Sequence, residues 1–253
     1  MLKAVLLDLD DTLLANDMAT FIPAYLHALS AAVGHLVPPG NLLIELMRAT
    51  EAMDANVGTG PTNEEAFDAV FYPSVGVPKA TLKPIFERFY AEGFPLLSRY
   101  TQRIPAARSF VEFAFRRQWQ VVIATNPVFP STAVVQRLEW AGVPVAEFPY
   151  SLVTTYEDMH ATKAHPAYYR EIISRLSRKP EECLMVGDDW RRDMVPAAGV
   201  GIPVFWIFRA EKSFKTADVP DTSSVPNRLM FGIGNLERLR SKLSESDPDP
   251  SLT

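Results

Sequence analysis

The stretch Ala4-Val5-Leu6-Leu7-Asp8-Leu9-Asp10-Asp11-Thr12 decides how the rest of the chain is read. Ala4 to Leu7 is a short, unbroken apolar run, which suits a strand buried on both faces of a parallel sheet. Ligands of open α/β sheets bind just beyond the carboxyl ends of the strands. Asp8 and Asp10 therefore emerge where chemistry is expected. Two carboxylates this close stay ionised together only beside a cation; otherwise one of them holds a proton. The first case makes a metal site and the second a general acid. Capping by Asp11 and Thr12 at a following helix is the plainer alternative for the same residues.

Moving outward, Ala15 to Ile104 reads as helices only. Met18 to Val33 places Phe21, Tyr25, Leu26 and Leu29 at helical spacing. Pro38-Pro39-Gly40 interrupts, and Leu42 to Met53 follows. Thr62-Asn63-Glu64-Glu65 is a capping box that opens a helix through Phe71. Pro78 starts another, with Leu82, Ile85, Phe86, Phe89 and Tyr90 along one side. The helix-spaced aromatics Phe67, Phe71, Phe86, Phe89 and Tyr90 read as core. From Pro105 strands and helices alternate. The strands are Val121 to Ala124, Ser151 to Thr154, Leu184 to Val186 and Pro203 to Ile207. The helices are Pro105 onward, Ser131 to Ala141, Pro166 to Leu176, Asp193 to Ala198 and Leu236 to Leu243. Such alternation indicates a parallel sheet with right-handed crossovers. The expectation is a Rossmann-like, doubly wound α/β core over 1–14 and 105–243, an all-helical second domain over 15–104, and a disordered tail over 244–253.

Bulk properties exclude several classes. The chain has 253 residues, 47% hydrophobic and 22% charged, which is ordinary for a soluble globular protein. A net charge of −5 and a sequence pI of about 5.5 speak against a nucleic-acid or anionic-membrane partner. No apolar run is long enough for a membrane span. Cys183 is the single cysteine, so neither an internal disulfide nor a cysteine-based metal cluster is available. A reducing, cytoplasmic setting is the expectation.

In a parallel sheet the polar groups at the strand ends share one edge. These are Asp8 and Asp10, Thr125 and Asn126, the neighbourhood of Lys163, and Asp188, Asp189 and Asp193. Carboxylates without a histidine or cysteine cluster form a hard oxygen site, suited to magnesium rather than zinc. A lysine is a compact charge for a phosphoryl oxygen. The assembly reads as a phosphoryl-binding site with a carboxylate nucleophile.

With these residues in place the chain resembles the haloacid dehalogenase-like (HAD) phosphohydrolases. The family's Asp-x-Asp-x-Thr is matched by Asp8-Leu9-Asp10-Asp11-Thr12, and its strand ending in Thr or Ser by Thr125. Its Lys shortly before Pro is matched by Lys163 and Pro166, and its Gly-Asp with a later Asp by Gly187-Asp188 and Asp193. The resemblance implies that Asp8 is the nucleophile and Asp10 the general acid and base. It implies that Thr125 and Asn126 contact phosphoryl oxygens and that Lys163 neutralises charge. Asp8, the backbone carbonyl of Asp10 and Asp188 are the implied Mg2+ ligands. Asp189, Asp193 and Thr12 are left as outer ligands or orienting groups. The helical segment falls where this family inserts a cap.

Asp10 argues against dehalogenation, because a halide leaves without needing a proton. The implied activity is removal of phosphate from a small phosphorylated metabolite through an aspartyl-phosphate. A sugar phosphomutase and a non-hydrolytic phosphoryl-binding module are the alternatives. Among other residues, Asn16 and Asp17 sit at the entry to the helical segment, as substrate contacts or loop caps. His160 and His165 read as loop residues, Arg191 and Arg192 as a solvated pair, and Cys183 as inert core.

Overall fold

The structure is a computed structural model that describes residues 1–208 and 222–246. Its centre is a six-stranded, all-parallel sheet of β1 (Ala4–Leu7), β4 (Gln120–Ile123), β5 (Leu152–Val153), β6 (Cys183–Gly187), β7 (Val204–Ile207) and β8 (Met230–Gly234), in the order β5-β4-β1-β6-β7-β8. From β1 the chain builds outward to β4 and β5, then returns to β6 on the other side. The order thus reverses between β1 and β6, and crevices at such switch points are where open α/β sheets bind ligands.

The unbroken apolar run of β1 is explained by its position. Val5 and Leu7 point into the layer with α5 (Pro105–Arg116), α6 (Ser131–Ala141) and α9 (Leu236–Ser246). Ala4 and Leu6 point into the opposite layer with α7 (Pro166–Leu176) and α8 (Val195–Gly199). Both faces being covered, the two-residue alternation of side chains carries no polar partner set. Each crossover helix starts or stops where the sequence dictates. Pro105 and Pro166 open α5 and α7, and Gly142, at φ 76°, closes α6 in the left-handed conformation.

Between β1 and β4 lie α1 (Met18–Val33), α2 (Pro39–Asp54), α3 (Asn63–Val75) and α4 (Lys79–Arg88), followed by a wide turn at Phe89–Gly93 and a tight one at Phe94–Tyr100. The capping box of α3 forms as read: Thr62 Oγ1 accepts from the Glu65 N–H, and the Thr62 N–H donates to Glu65 Oε2. These helices enclose their own apolar cluster, including Phe21, Leu42, Phe71, Leu82 and Phe94. That cluster runs into α6, where Trp140 stacks on Phe94 at 5.3 Å. A second tie is Asn63, whose side-chain amide donates to the carbonyls of Pro127 and Ala161.

Three readings are corrected. The 15–104 segment is not helices only. β2 (Leu14–Asn16) and β3 (Thr101–Arg103) pair antiparallel where the chain enters and leaves it. Three-residue strands are too short to show an alternating pattern, and their pairing is non-local. β8 was missed because Gly232 and Gly234 dilute its apolar content. Residues 244–246 belong to the last turn of α9 rather than to a tail. The rest of the expected tail, 247–253, lies outside the described residues.

Candidate active site

β1 stops at Leu7, and the chain then turns sharply. The N–H groups of Leu13 and Leu14 both reach back to the Leu9 carbonyl, with Asp11 in the left-handed conformation at φ 58°. Asp is one of the few side chains that accept this backbone. Asp11 Oδ1 also accepts the Asn16 N–H at 3.2 Å, closing the loop. The turn sends the two neighbouring carboxylates, Asp8 and Asp10, to different partners.

Asp8 is buried at the end of β1, and its N–H is held by the Val186 carbonyl of β6 at 2.9 Å. Its Oδ1 accepts from Lys163 Nζ at 2.5 Å. The same ammonium lies 2.5 Å from Asp193 Oδ1. Asp193 is fully buried, and its other oxygen accepts the Asp189 N–H at 3.0 Å. One carboxylate oxygen each from Asp8, Asp188 and Asp193 fall within 4.8 Å of one another. Burial pushes the Asp8 and Asp193 carboxyls up from the ordinary range, while Lys163 pulls them back. Burial also works against the charge of Lys163, but Asp193 and Asp8 outweigh it and hold the ammonium above its usual value. A lysine locked between carboxylates is a fixed positive charge.

The close approach of Asp193 explains Gly187. A methyl group there would lie 2.1 Å from Asp193 Oδ2, so no larger residue fits beneath that carboxylate. It also separates the two acids that the sequence left undecided. Asp193 belongs to the carboxylate group and pairs with Lys163. Asp189 caps the turn Trp190–Met194, its Oδ1 accepting the N–H groups of Arg191 and Arg192.

Asp10 turns away from this cluster. Its Oδ2 accepts from Arg137 Nη1 at 2.7 Å and its Oδ1 from Asn16 Nδ2 at 2.9 Å. Sequence reading missed Arg137. It lies on the buried face of α6 with Ala133, Val134, Leu138 and Ala141, is 1% exposed, and packs over the Phe129 ring at 4.7 Å. A charged residue in register with an apolar helix face was the available signal. Asn16 was singled out, and it is fully buried against Asp10 rather than a loop cap.

Thr125 is buried at the end of β4, its carbonyl receiving Thr154 Oγ1 and the Tyr168 hydroxyl. Asn126 Oδ1 accepts the Lys163 N–H at 3.2 Å, which ties the loop carrying Lys163 to the end of β4. Thr12 is buried within the turn, and its hydroxyl has no hydrogen-bond partner among the described residues. His160 pairs with Glu171, and His165 Nε2 contacts the Asp54 carbonyl, so neither joins the cluster. Asp8, Asp10, Thr125, Asn126, Lys163, Asp188 and Asp193 all line one cavity of about 940 Å3. Its far wall, with Asp17, Met18 and Ile22, comes from the start of α1 and the residue before it.

The donor set fits a hard divalent cation. Asp8, Asp188 and Asp193 offer oxygen atoms only, and no histidine or cysteine stands among them. Such an ion would supply positive charge to the buried carboxylates and to an anionic substrate.

A parallel sheet with acids gathered at its switch point defines an α/β protein with a ligand site at the carboxyl ends of its strands. Residues 2–201 match the haloacid dehalogenase-like hydrolase family, and the chain belongs to it. A phosphoserine phosphatase of Thermus thermophilus is 26% identical, over 87% of this chain and 94% of its own. Two solved structures share the fold. A HAD phosphatase from Thermococcus onnurineus has a TM-score of 0.57 at 22% identity, covering 96% of this chain and 98% of its own. A 2-haloacid dehalogenase from Pseudomonas syringae has a TM-score of 0.62 at 20% identity, covering 97% and 100%. Among the described residues no helix is long and apolar enough to cross a membrane.

Proposed function

We propose that the protein is a magnesium-dependent phosphohydrolase acting on a small phosphorylated metabolite through an aspartyl-phosphate on Asp8. The observation that carries this reading is the Asp8 carboxylate held by buried Lys163, beside Asp188 and Asp193, at the sheet's switch point. Asp8 Oδ attacks phosphorus, and the bond from phosphorus to the ester oxygen breaks. Asp10 gives its proton to the departing alkoxide. Asp10 then takes a proton from the water that attacks the acyl phosphate, which releases inorganic phosphate and restores Asp8. Lys163, Thr125 and Asn126 bear on the phosphoryl oxygens, where charge neutralisation lowers the barrier. Asp8, Asp188 and the Asp10 carbonyl would hold Mg2+, which would add positive charge beside Lys163. Asp193 keeps Lys163 aligned.

The helical unit of 15–104 serves as a cap over this cavity. A site roofed this way takes a small substrate and excludes bulk water during the first step. The family name aside, Asp10 supports a reaction whose leaving group needs a proton. The protein acts in the cytoplasm, with neither nucleic acid nor membrane as partner.

The test is magnesium-dependent release of phosphate from p-nitrophenyl phosphate. Multiple turnovers that vanish in Asp8→Asn are expected. A single phosphorylation of Asp8 without turnover would mean a phosphoryl-binding module instead. Interconversion of hexose phosphates without net phosphate release would mean a mutase.

A further inference from the structure

We propose that the leaving group of the substrate is an extended apolar or aromatic alcohol, seated in a chamber between the helical unit and the loop after β4. This rests on the phosphohydrolase reading and names its substrate class.

The chamber has a volume of about 390 Å3, within the range of roughly 300–1,000 Å3 common for small-molecule sites. Ile22, Val128 and Phe129 line both it and the cavity that holds Asp8, so the two spaces meet. A phosphoryl group at Asp8 can thus extend its ester oxygen toward Phe129 and beyond.

Large side chains that pack on the core of the helical unit by one face turn another face to this space. Phe71 of α3 and Phe89 of the turn after α4 are 0% and 5% exposed and pack among the helices. Phe67 and Tyr90 of the same segments are only half-buried and face the chamber, as does Phe86 of α4. Phe67 stacks on Phe71 at 4.9 Å and Tyr90 meets Phe89 at 5.3 Å, so the rings that line the chamber are backed by the packed ones. Apolar surface left unpacked inside a protein forfeits contact energy unless something fills it.

The polar groups present suit a neutral ligand. The Tyr25 and Tyr90 hydroxyls satisfy each other at 2.8 Å. Burial pushes Tyr25 up to about 12, so its hydroxyl stays protonated. No lysine or arginine lines the chamber among the described residues, and Glu51 is its acidic member. The carboxylate of a phosphorylated amino acid finds no cation there. At the outer rim Leu43 and Met47 of α2 are 42% and 59% exposed, an apolar lip that continues the lining to the surface.

The experiment compares kcat/KM for methyl, butyl, hexyl and octyl phosphate, with O-phosphoserine as the polar comparator, under saturating magnesium. The expected result is a rise of up to about fourfold per added methylene until the chamber is filled, with O-phosphoserine below hexyl phosphate. In Leu26→Trp or Leu46→Phe, whichever keeps the wild-type melting temperature, the chain-length dependence flattens or peaks earlier. Turnover of the whole series with no gain from apolar length, or with O-phosphoserine preferred, overturns the chamber assignment and leaves the phosphohydrolase reading standing. Absence of turnover for every phosphomonoester overturns that reading and the leaving-group assignment with it.

Discussion

The Arg137 guanidinium, sealed beneath the Phe129 ring, donates to Asp10 Oδ2 at 2.7 Å across 127 positions of sequence. It fixes one oxygen of the acid while Asn16 fixes the other. Arg137→Met keeps the volume and removes the donor. A misplaced reacting group costs up to roughly 100-fold in rate, so kcat is expected to fall by about that order. KM for the phosphoryl group should change little, because Arg137 acts on Asp10. Steady-state kinetics on p-nitrophenyl phosphate, with a melting curve to confirm folding, checks this.

Lys163 pairs with two buried carboxylates at once. Lys163→Met leaves Asp8 and Asp193 facing each other without a cation. Breaking a buried pair by removing one partner costs about 3–5 kcal/mol. Urea denaturation should show a loss of that order, and added magnesium should restore part of it. A variant as stable as wild type without the metal would contradict the geometry.

Gly187 admits Asp193 because it has no Cβ. In Gly187→Ala the new methyl displaces the carboxylate that holds Lys163. Activity should drop, and the magnesium concentration giving half-maximal rate should rise. Gly199, where an added methyl would meet nothing within 4 Å, is the internal comparison. Gly199→Ala should be neutral or stabilising by about 0.4–1 kcal/mol.

The base of the sheet has a pH-sensitive tie. The Lys179 N–H and then Lys3 Nζ hold the Glu182 carboxyl down to about 2, from an ordinary 4.5. A depressed carboxyl contributes stability that is fully present above its unfolded value. That contribution fades as pH falls from about 4.5 through about 2. A carboxyl-detected NMR titration should place the Glu182 midpoint far below those of exposed glutamates. Glu182→Gln should make unfolding less dependent on pH across that interval.

Much of the candidate site is legible in the sequence. β1 announces itself because burial on both faces demands an unbroken apolar run, and Asp8 follows directly. The convergence of Thr125, Lys163 and Asp188 follows once the strands are parallel, since all strand ends then share an edge. What escaped was non-local or came from single atoms. The β2–β3 pairing joins segments far apart in sequence and has no periodicity to read. Arg137 escaped because its partner is Asp10 and not a neighbour on α6. The choice between Asp189 and Asp193 turned on which carboxylate sits over Gly187, and spacing does not encode that.

Asn16 is a residue of β2, the strand by which the chain enters its helical unit, and α6 carries both Arg137 and the Trp140 face on which that unit rests. Asp10, the proposed proton carrier, is therefore clamped by the same two elements that join the helical unit to the sheet domain. Loosening that seam should silence turnover while the sheet beneath remains intact. At rising denaturant the loss of activity should precede the loss of helical and sheet signal, with the seam acting as the enzyme's mechanical fuse.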